Sequence, residues 1–356
     1  MAGHLLVRLE DIKFVSDFAL NSMNKRAYSK KRGSMFGFVG LMLSRVCSGN
    51  CIFCPVPKLQ HEYSSAGRKP FMSLGVAEKT VADLGSMSYS GWINLGENGD
   101  ALLNPDFRDI VRMISQSLPS AKITLYTNMA RMDKKLSLFL LEHNLSELVV
   151  NVDGSTKEVY ESAKRGLKYE TVRDNLLEFI RIRSQTRGNC RILIQVIPPK
   201  RYMTLRTHTN TDVQYDFLDI ADYWGPYLLG SDSFQEVKYF WNWNSEPSKE
   251  IRKKSCPMIP SLLSSCYVST EGDVYTCCLD PLTKLTFGNI MEKSVERIWN
   301  SEKRRCIVSN IVNKEFKKVG APCTHCNERN DFLTSYLDYV KCSLISKSKR
   351  LLKRLT

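Results

Sequence analysis

No apolar run in this chain approaches the roughly 18 residues that a membrane-spanning helix needs, which excludes an integral bundle of helices. The first twenty residues interrupt their apolar stretch with Glu10, Asp11 and Asp17, a pattern unlike a secretory leader. Internal repeats and low-complexity tracts are also missing, so solenoid and propeller architectures are set aside. Apolar residues are not scarce. At 43% hydrophobic and 10% aromatic, most of the chain can build a packed core, which excludes a disordered protein. A length of 356 residues then allows two domains, or one large barrel with an appendage.

Acidic residues are absent from one stretch in particular, residues 341–356, which hold six Lys/Arg. Of the formal net charge of +14, +10 falls within residues 1–35 and 341–356. The remainder is close to balanced, which argues against a nucleic-acid-binding face on the body. In the tail, Leu344, Ile345, Leu351, Leu352 and Leu355 alternate with Lys347, Lys349, Arg350, Lys353 and Arg354 at near-helical spacing. That pattern reads as a basic amphipathic helix docked on the body; an anionic membrane surface or nucleic acid is the alternative.

Cysteine is plentiful, with twelve in all. In a reducing cytosol such a number points to metal or redox chemistry rather than to disulfides. Cys47, Cys51 and Cys54 form one group; between Cys54 and Cys256 only Cys190 occurs; Cys266, Cys277, Cys278, Cys306, Cys323, Cys326 and Cys342 follow. Two groups so far apart imply two metal sites. Cys266 and Cys306 are expected as small buried hydrophobes.

From Phe36 onward short β-rich runs alternate with helical ones. Strands are expected at Phe38–Leu43, Trp92–Leu95, Lys122–Tyr126, Leu148–Val152, Arg191–Ile197 and Glu236–Phe240. Helices are expected at Leu74–Met87, Pro105–Ser117, Asp133–His143, Tyr169–Gln185 and Val213–Trp224. The fold class is therefore α/β, a parallel sheet, open or curled into a partial barrel. In a parallel barrel, chemistry sits on loops after the strands, and the loop after the first strand carries the first three cysteines. After Asn242 the alternation stops. A hairpin, Ser265–Ser269 and Val274–Cys277 around Glu271-Gly272-Asp273, opens a cysteine-rich region whose core is too small to stand without metal.

Cys47-Ser48-Gly49-Asn50-Cys51-Ile52-Phe53-Cys54 is C-x3-C-x2-C. Three closely spaced thiolates can hold a cubane cluster and leave one iron open for a small molecule. A zinc knuckle is the competing reading, but structural zinc takes four ligands, and His61 is the one plausible fourth nearby. With Phe53 before its last cysteine, the motif resembles the signature of the radical S-adenosylmethionine (SAM) superfamily.

The resemblance implies a partial (β/α)6 TIM-like barrel that binds a [4Fe–4S] cluster through Cys47, Cys51 and Cys54, with SAM on the open iron. Asn98-Gly99-Asp100-Ala101 is similar to the family's Gly-Gly-Glu-Pro-like motif that holds the amino group of SAM, with Asp for Glu and Ala for Pro. Thr127-Asn128 and Asn151-Val152-Asp153-Gly154 resemble further elements lining that site, and Phe53 is placed at the adenine. The chemistry implied is reductive cleavage of SAM to a 5′-deoxyadenosyl radical, which takes hydrogen from an unactivated carbon.

Cys256-x15-Gly272-x4-Cys277, followed by Cys323-x2-Cys326, resembles the half-length auxiliary-cluster domain called twitch, a relative of the SPASM domain. This implies a single auxiliary [4Fe–4S] cluster held by Cys256, Cys277, Cys323 and Cys326. Cys278 could stand in for Cys277, since only one of two adjacent residues points inward on a strand. A four-cysteine zinc site is the competing reading of the group.

The expected organisation is a basic N-terminal extension (1–35), a core barrel (36–245), an auxiliary-cluster domain (250–330) and a basic tail (331–356). The expected activity is oxidation of a sugar, aminocyclitol or similar small molecule by a cytoplasmic enzyme, with a flavodoxin or ferredoxin as electron donor. Peptide modification is the alternative within the class. An inactive relative acting as a nucleic-acid or membrane adaptor is the alternative outside it.

Overall fold

The computed structural model describes residues 35–186, 189–197, 217–236, 256 and 258–326. The basic extension, the amphipathic tail, Cys342, and the expected helix and strand residues 213–216 and 237–240 lie outside them.

The strands are β1 Phe38–Leu41, β2 Asn50–Cys51, β3 Trp92–Asn94, β4 Lys122–Thr127, β5 Leu145–Asn151, β6 Lys164–Arg165, β7 Arg191–Val196, β8 Ser233–Glu236, β9 Ser265–Val268, β10 Asp273–Tyr275 and β11 Thr286–Asn289. The helices are α1 Gln60–Ser65, α2 Leu74–Ser86, α3 Phe107–Ser117, α4 Lys134–Glu142, α5 Lys157–Ala163, α6 Tyr169–Gln185, α7 Phe217–Trp224, α8 Ile259–Ser264, α9 Val295–Trp299, α10 Glu302–Val312 and α11 Phe316–Val319. No helix of the described residues is long and apolar enough to cross a membrane.

Six parallel strands, β1-β3-β4-β5-β7-β8, form the partial TIM-like barrel, each joined to the next through helix-bearing connections. The period of two decides which residues face where. Val39, Leu41, Ile93, Ile123, Leu125, Leu148, Val150, Ile192 and Ile194 are buried in the shared hydrophobic core. Their neighbours Gly40, Asn94, Thr124, Tyr126, Glu147, Asn151 and Gln195 line the opposite face, the inside of the barrel. Helix ends are set by local chemistry. Asp133 accepts from Leu136 N at the start of α4, and Thr156 accepts from Val159 N at the start of α5.

The C-terminal region does not form a sheet of its own. β9 pairs parallel with β1, and β10 and β11 extend the same sheet antiparallel, in the order β11-β10-β9-β1. Cys266, Val268, Val274, Phe287, Ile298 and Trp299 belong to the same core as the barrel residues. The hairpin turn uses Gly272 at φ +89°, where a side chain would be strained and a Cβ would meet Ile290 at 2.9 Å.

Strand β8 is described from Ser233, three residues before the expected start at Glu236, and β5 begins three residues earlier than expected, at Leu145. Cys266 is buried, but Cys306 is exposed on α10, contrary to expectation, because the buried stripe of that helix is Arg304, Val308 and Ile311.

Candidate iron–sulfur and cofactor site

The first cysteine loop leaves the carboxyl end of β1. Gly99 N donates to Ser44 O at 3.0 Å and Asp100 N to Val46 O at 2.9 Å, so residues 44–46 are fastened to the loop after β3. A Cβ on Gly99 would lie 2.3 Å from the Val46 carbonyl oxygen; the close approach requires glycine. On the far side, Asn50 and Cys51 pair with Arg165 and Lys164 in the short β2–β6 ladder.

Cys47, Cys51 and Cys54 are all half-buried. Burial raises each thiol above its ordinary pKa, Cys54 to about 12, and neighbouring thiols add to the shift at Cys47 and Cys54. A metal bound to such a set displaces the protons. Among the described residues, no three His, Cys, Asp or Glu side chains close on a point that one ion could occupy. Zinc needs its sulfurs at about 2.3 Å, whereas a cubane takes one thiolate per iron and spreads them apart. The donor set fits a cluster better than a zinc knuckle.

The residues expected around SAM fall into two kinds. Asn128 and Asn98 present polar atoms at the cysteine loop. Asn128 Nδ2 donates to Cys47 Sγ at 3.4 Å and to Ser48 Oγ at 3.3 Å. Asn98 is held at φ +65°, its Nδ2 lies 3.4 Å from Met42 Sδ, and its Oδ1 is buried with no partner. An orphaned acceptor on a residue bridged to Ser44, just ahead of the cysteine loop, fits an ammonium donor such as that of SAM.

Asp100, Thr127 and Asp153 are instead engaged within the fold. Asp100 is 3% exposed, accepts from Leu102 N at 3.1 Å, and receives the Thr127 hydroxyl at 3.2 Å on both oxygens. Burial raises its pKa. Asp153 is fully buried, accepting from Ile197 N at 2.7 Å and pairing with Lys164 Nζ at 3.0 Å. Buried carboxylates need such partners, and the partners are consumed in tying loops together. Their contribution to the site comes through the loops they hold.

Lys164 gave no signal in the sequence. Its Nζ lies 5.1 Å from the centre of the Phe53 ring. Burial opposes its charge, but Asp153 and the Cys51 thiol outweigh that, and its pKa lies above the ordinary lysine range. A cation is thus held between the second and third cysteines.

Asn151 points into the barrel. Its Nδ2 lies 3.4 Å from Gln195 Oε1, and Gln195 Nε2 donates to Gln235 Oε1 at 2.8 Å. Alongside this amide ladder, Glu147 pairs with Arg191 and accepts from Thr124 Oγ1, while Glu97 accepts from Asn94 Nδ2 at 2.7 Å. A Cβ on Gly40 would meet Tyr267 at 2.6 Å and Glu97 at 2.7 Å, so both side chains pack on that bare stretch of β1.

In the second group, Cys256 and Cys323 share a small apolar cluster with Ile259, Leu262, Ile311 and Phe316. The Cys277 thiol is raised by its hydrogen bond with Cys278 and by burial, with a further contribution from Cys256. Cys278 packs instead with Phe38, Met42, Tyr267 and Tyr275, on the barrel side. Cys278 therefore faces the barrel, and Cys277, its neighbour in the chain, is left to the other side. Cys326 is half-buried at the end of the short 3-10 turn Cys323–His325.

Both cysteine groups fall within stretches that match known domains. Residues 41–195 match the Radical SAM superfamily, and residues 256–327 match SPASM, an iron–sulfur cluster-binding domain. No curated protein matches the chain. Among solved structures, it is similar to BtrN in complex with AdoMet and 2-DOIA (TM-score 0.51, 17% identity, 82% of this chain and 93% of that one). It is also similar to anSMEcpe with bound AdoMet and a Cp18Cys peptide (TM-score 0.55, 14% identity, 88% and 99%). A third likeness is to Streptococcus suis SuiB bound to S-adenosylmethionine (TM-score 0.52, 14% identity, 86% and 75%).

Proposed function

We propose, for a chain that carries a radical SAM domain followed by an iron–sulfur cluster-binding SPASM domain, that it oxidises a polar small molecule of the sugar or aminocyclitol kind. The observation that carries this reading is the barrel wall. Asn94, Glu97, Thr124, Glu147, Asn151, Arg191, Gln195 and Gln235 line it with donors and acceptors of both kinds. Such a wall suits a ligand rich in hydroxyl or amino groups, each of which needs a partner once desolvated.

Cys47, Cys51 and Cys54 hold the [4Fe–4S] cluster, which with SAM supplies a 5′-deoxyadenosyl radical able to take hydrogen from an unactivated carbon. Asn128 donates to the Cys47 sulfur and orients it. Asn98 Oδ1 accepts from the SAM ammonium. The Gly99 and Asp100 amides keep the Ser44–Val46 backbone fixed, and Lys164 with Asp153 holds the Cys51 side of the loop. Phe53 and the apolar residues beside it exclude water from the adenine side.

Cys256, Cys277, Cys323 and Cys326 hold the auxiliary cluster, a closed centre able to accept one electron from the substrate side. A two-electron oxidation by this enzyme thus has an electron acceptor within the chain. The 2-DOIA complex of BtrN supports the small-molecule reading, and a flavodoxin or ferredoxin is proposed as donor to the first cluster.

The test is anaerobic reconstitution. The protein should bind about eight irons in two cubane clusters, release 5′-deoxyadenosine after reduction, and do so faster with an aminocyclitol than with a cysteine-containing peptide. Replacing Cys47, Cys51 and Cys54 by Ala should abolish release and leave about four irons. Zinc at residues 47–54, or acceleration by the peptide alone, overturns the reading.

A further inference from the structure

Arg45 lies just ahead of the first cysteine loop at 1% exposure, and the radical chemistry above does not use it. Its guanidinium makes four hydrogen bonds to one distant segment. Nε donates to Thr270 Oγ1 at 3.0 Å, Nη1 to Pro281 O at 2.9 Å, and Nη2 to Glu271 Oε2 at 2.9 Å and Thr283 Oγ1 at 3.3 Å. Those acceptors flank Cys277 on both sides, so the guanidinium fills the inside of the loop that carries it.

The backbone of Arg45 is held just as firmly at the other end. Its N donates to Pro70 O, and its carbonyl accepts from Gln60 Nε2, each at 2.8 Å. Cys47 follows two residues on. A second layer reinforces the contact. Lys69 N donates to Glu271 Oε1 at 2.7 Å, Thr270 Oγ1 to Lys69 O at 3.0 Å, and Arg68 Nη1 to Asp273 Oδ2 at 3.1 Å. Tyr63 lies under the guanidinium, 5.1 Å from its ring centre.

Resting on the reading of the two cysteine groups as cluster sites, we infer that Arg45 is a positioning residue that fixes the SAM-binding loop to the auxiliary-cluster loop, so that disturbance at Cys277 is transmitted to the SAM site. A planar fork with five donors reaches all four acceptors at once; a lysine reaches one or two. The guanidinium is buried, Glu271 is 18% exposed, and the directional bonds between them and their neighbours set geometry more than net stability.

The experiment is a double-mutant cycle on anaerobic, reconstituted full-length protein. It reads iron content, SAM dissociation constant by equilibrium dialysis, and the spin–spin interaction between the two reduced clusters by electron paramagnetic resonance. Glu271→Gln removes the charge and leaves one amide oxygen as acceptor, its NH2 facing a donor at the other position. It should retain about eight irons, weaken SAM binding about tenfold and alter the inter-cluster interaction. Cys277→Ala should also weaken SAM binding, and the combined variant should be no more than about twofold worse than the weaker single one, because coupled sites are non-additive. If Glu271→Gln loses iron from the first site, Thr270→Val is read in its place, since it deletes the neutral acceptor of Nε and the donor to Lys69 O but keeps the Glu271 charge. Unchanged SAM affinity and spin interaction, or strictly additive effects, overturn the inference. Absence of SAM binding by the wild-type protein overturns instead the function on which it rests.

Discussion

The two cysteine groups are built in opposite ways. The first places three thiols within residues 47–54, on a single loop pinned by backbone contacts to its neighbours. The second draws on segments scattered over some seventy residues: Cys256 and Cys323 share an apolar cluster, and Cys277 follows an extension of the barrel sheet. A local site keeps its ligands together through the loop itself, even where a distant contact alters what binds beside them. A dispersed site needs the hairpin, the terminal helices and the Arg45 contact all in place. The dispersed group is therefore the more fragile of the two, although the cluster proposed there takes four thiolates.

The sharpest way to break this comparison is at the adjacent cysteines. Cys277→Ala should remove about four irons, all from the auxiliary site, whereas Cys278→Ala should leave the iron count intact, as measured on anaerobically isolated protein. Equal losses would show that the two thiols exchange roles.

The next effect concerns the cation under the first loop. Lys164→Met strands the fully buried Asp153 and should destabilise the protein by roughly 3–5 kcal/mol. Lys164→Arg should recover most of it, and thermal unfolding of the holoprotein reads both. A loss well under 1 kcal/mol would mean the pair adds little to the local loop.

Smaller still is the contact on Cys47. Asn128→Ala removes one N–H···S hydrogen bond, worth about 1 kcal/mol, and should lower the midpoint potential of the first cluster, since such bonds favour the reduced form. A redox titration in which only the auxiliary potential moves would reverse the assignment.

The least effect lies far from both groups. Asp232 accepts from both Arg183 Nη atoms and from the backbone N of Leu229 and Ile192. Burial raises its pKa, but these partners outweigh burial, and its carboxyl sits below the usual carboxylate range. The resulting stability is complete above the unfolded value of about 3.9 and is lost as pH falls through the lower folded value. Asp232→Asn should flatten acid unfolding below about pH 4, while iron content at neutral pH stays unchanged.

Much of this was legible in the chain itself. The helix Tyr169–Gln185 and the strand starts at Phe38, Trp92, Lys122 and Arg191 follow from periodicity and bounding turn residues. The C-x3-C-x2-C loop and its place after the first strand were equally plain. Arg45 left only a faint trace, a single cation in the apolar run from Phe36 to Val46, and Lys164 left none. Both act through partners 11 to 238 positions away, beyond any local pattern.

What the sequence settled alone is the local chemistry: three thiols in one loop, alternating strands and helices, and a cysteine-rich end. Spacing along the chain is enough for those, because a few residues of backbone fix them. The fold decided which carboxylates face the site and which are spent inside it, which of Cys277 and Cys278 faces the barrel, and that the two cysteine regions share one sheet and one guanidinium clamp. Burial and long-range hydrogen bonds govern these choices, and they exist only once distant segments have packed.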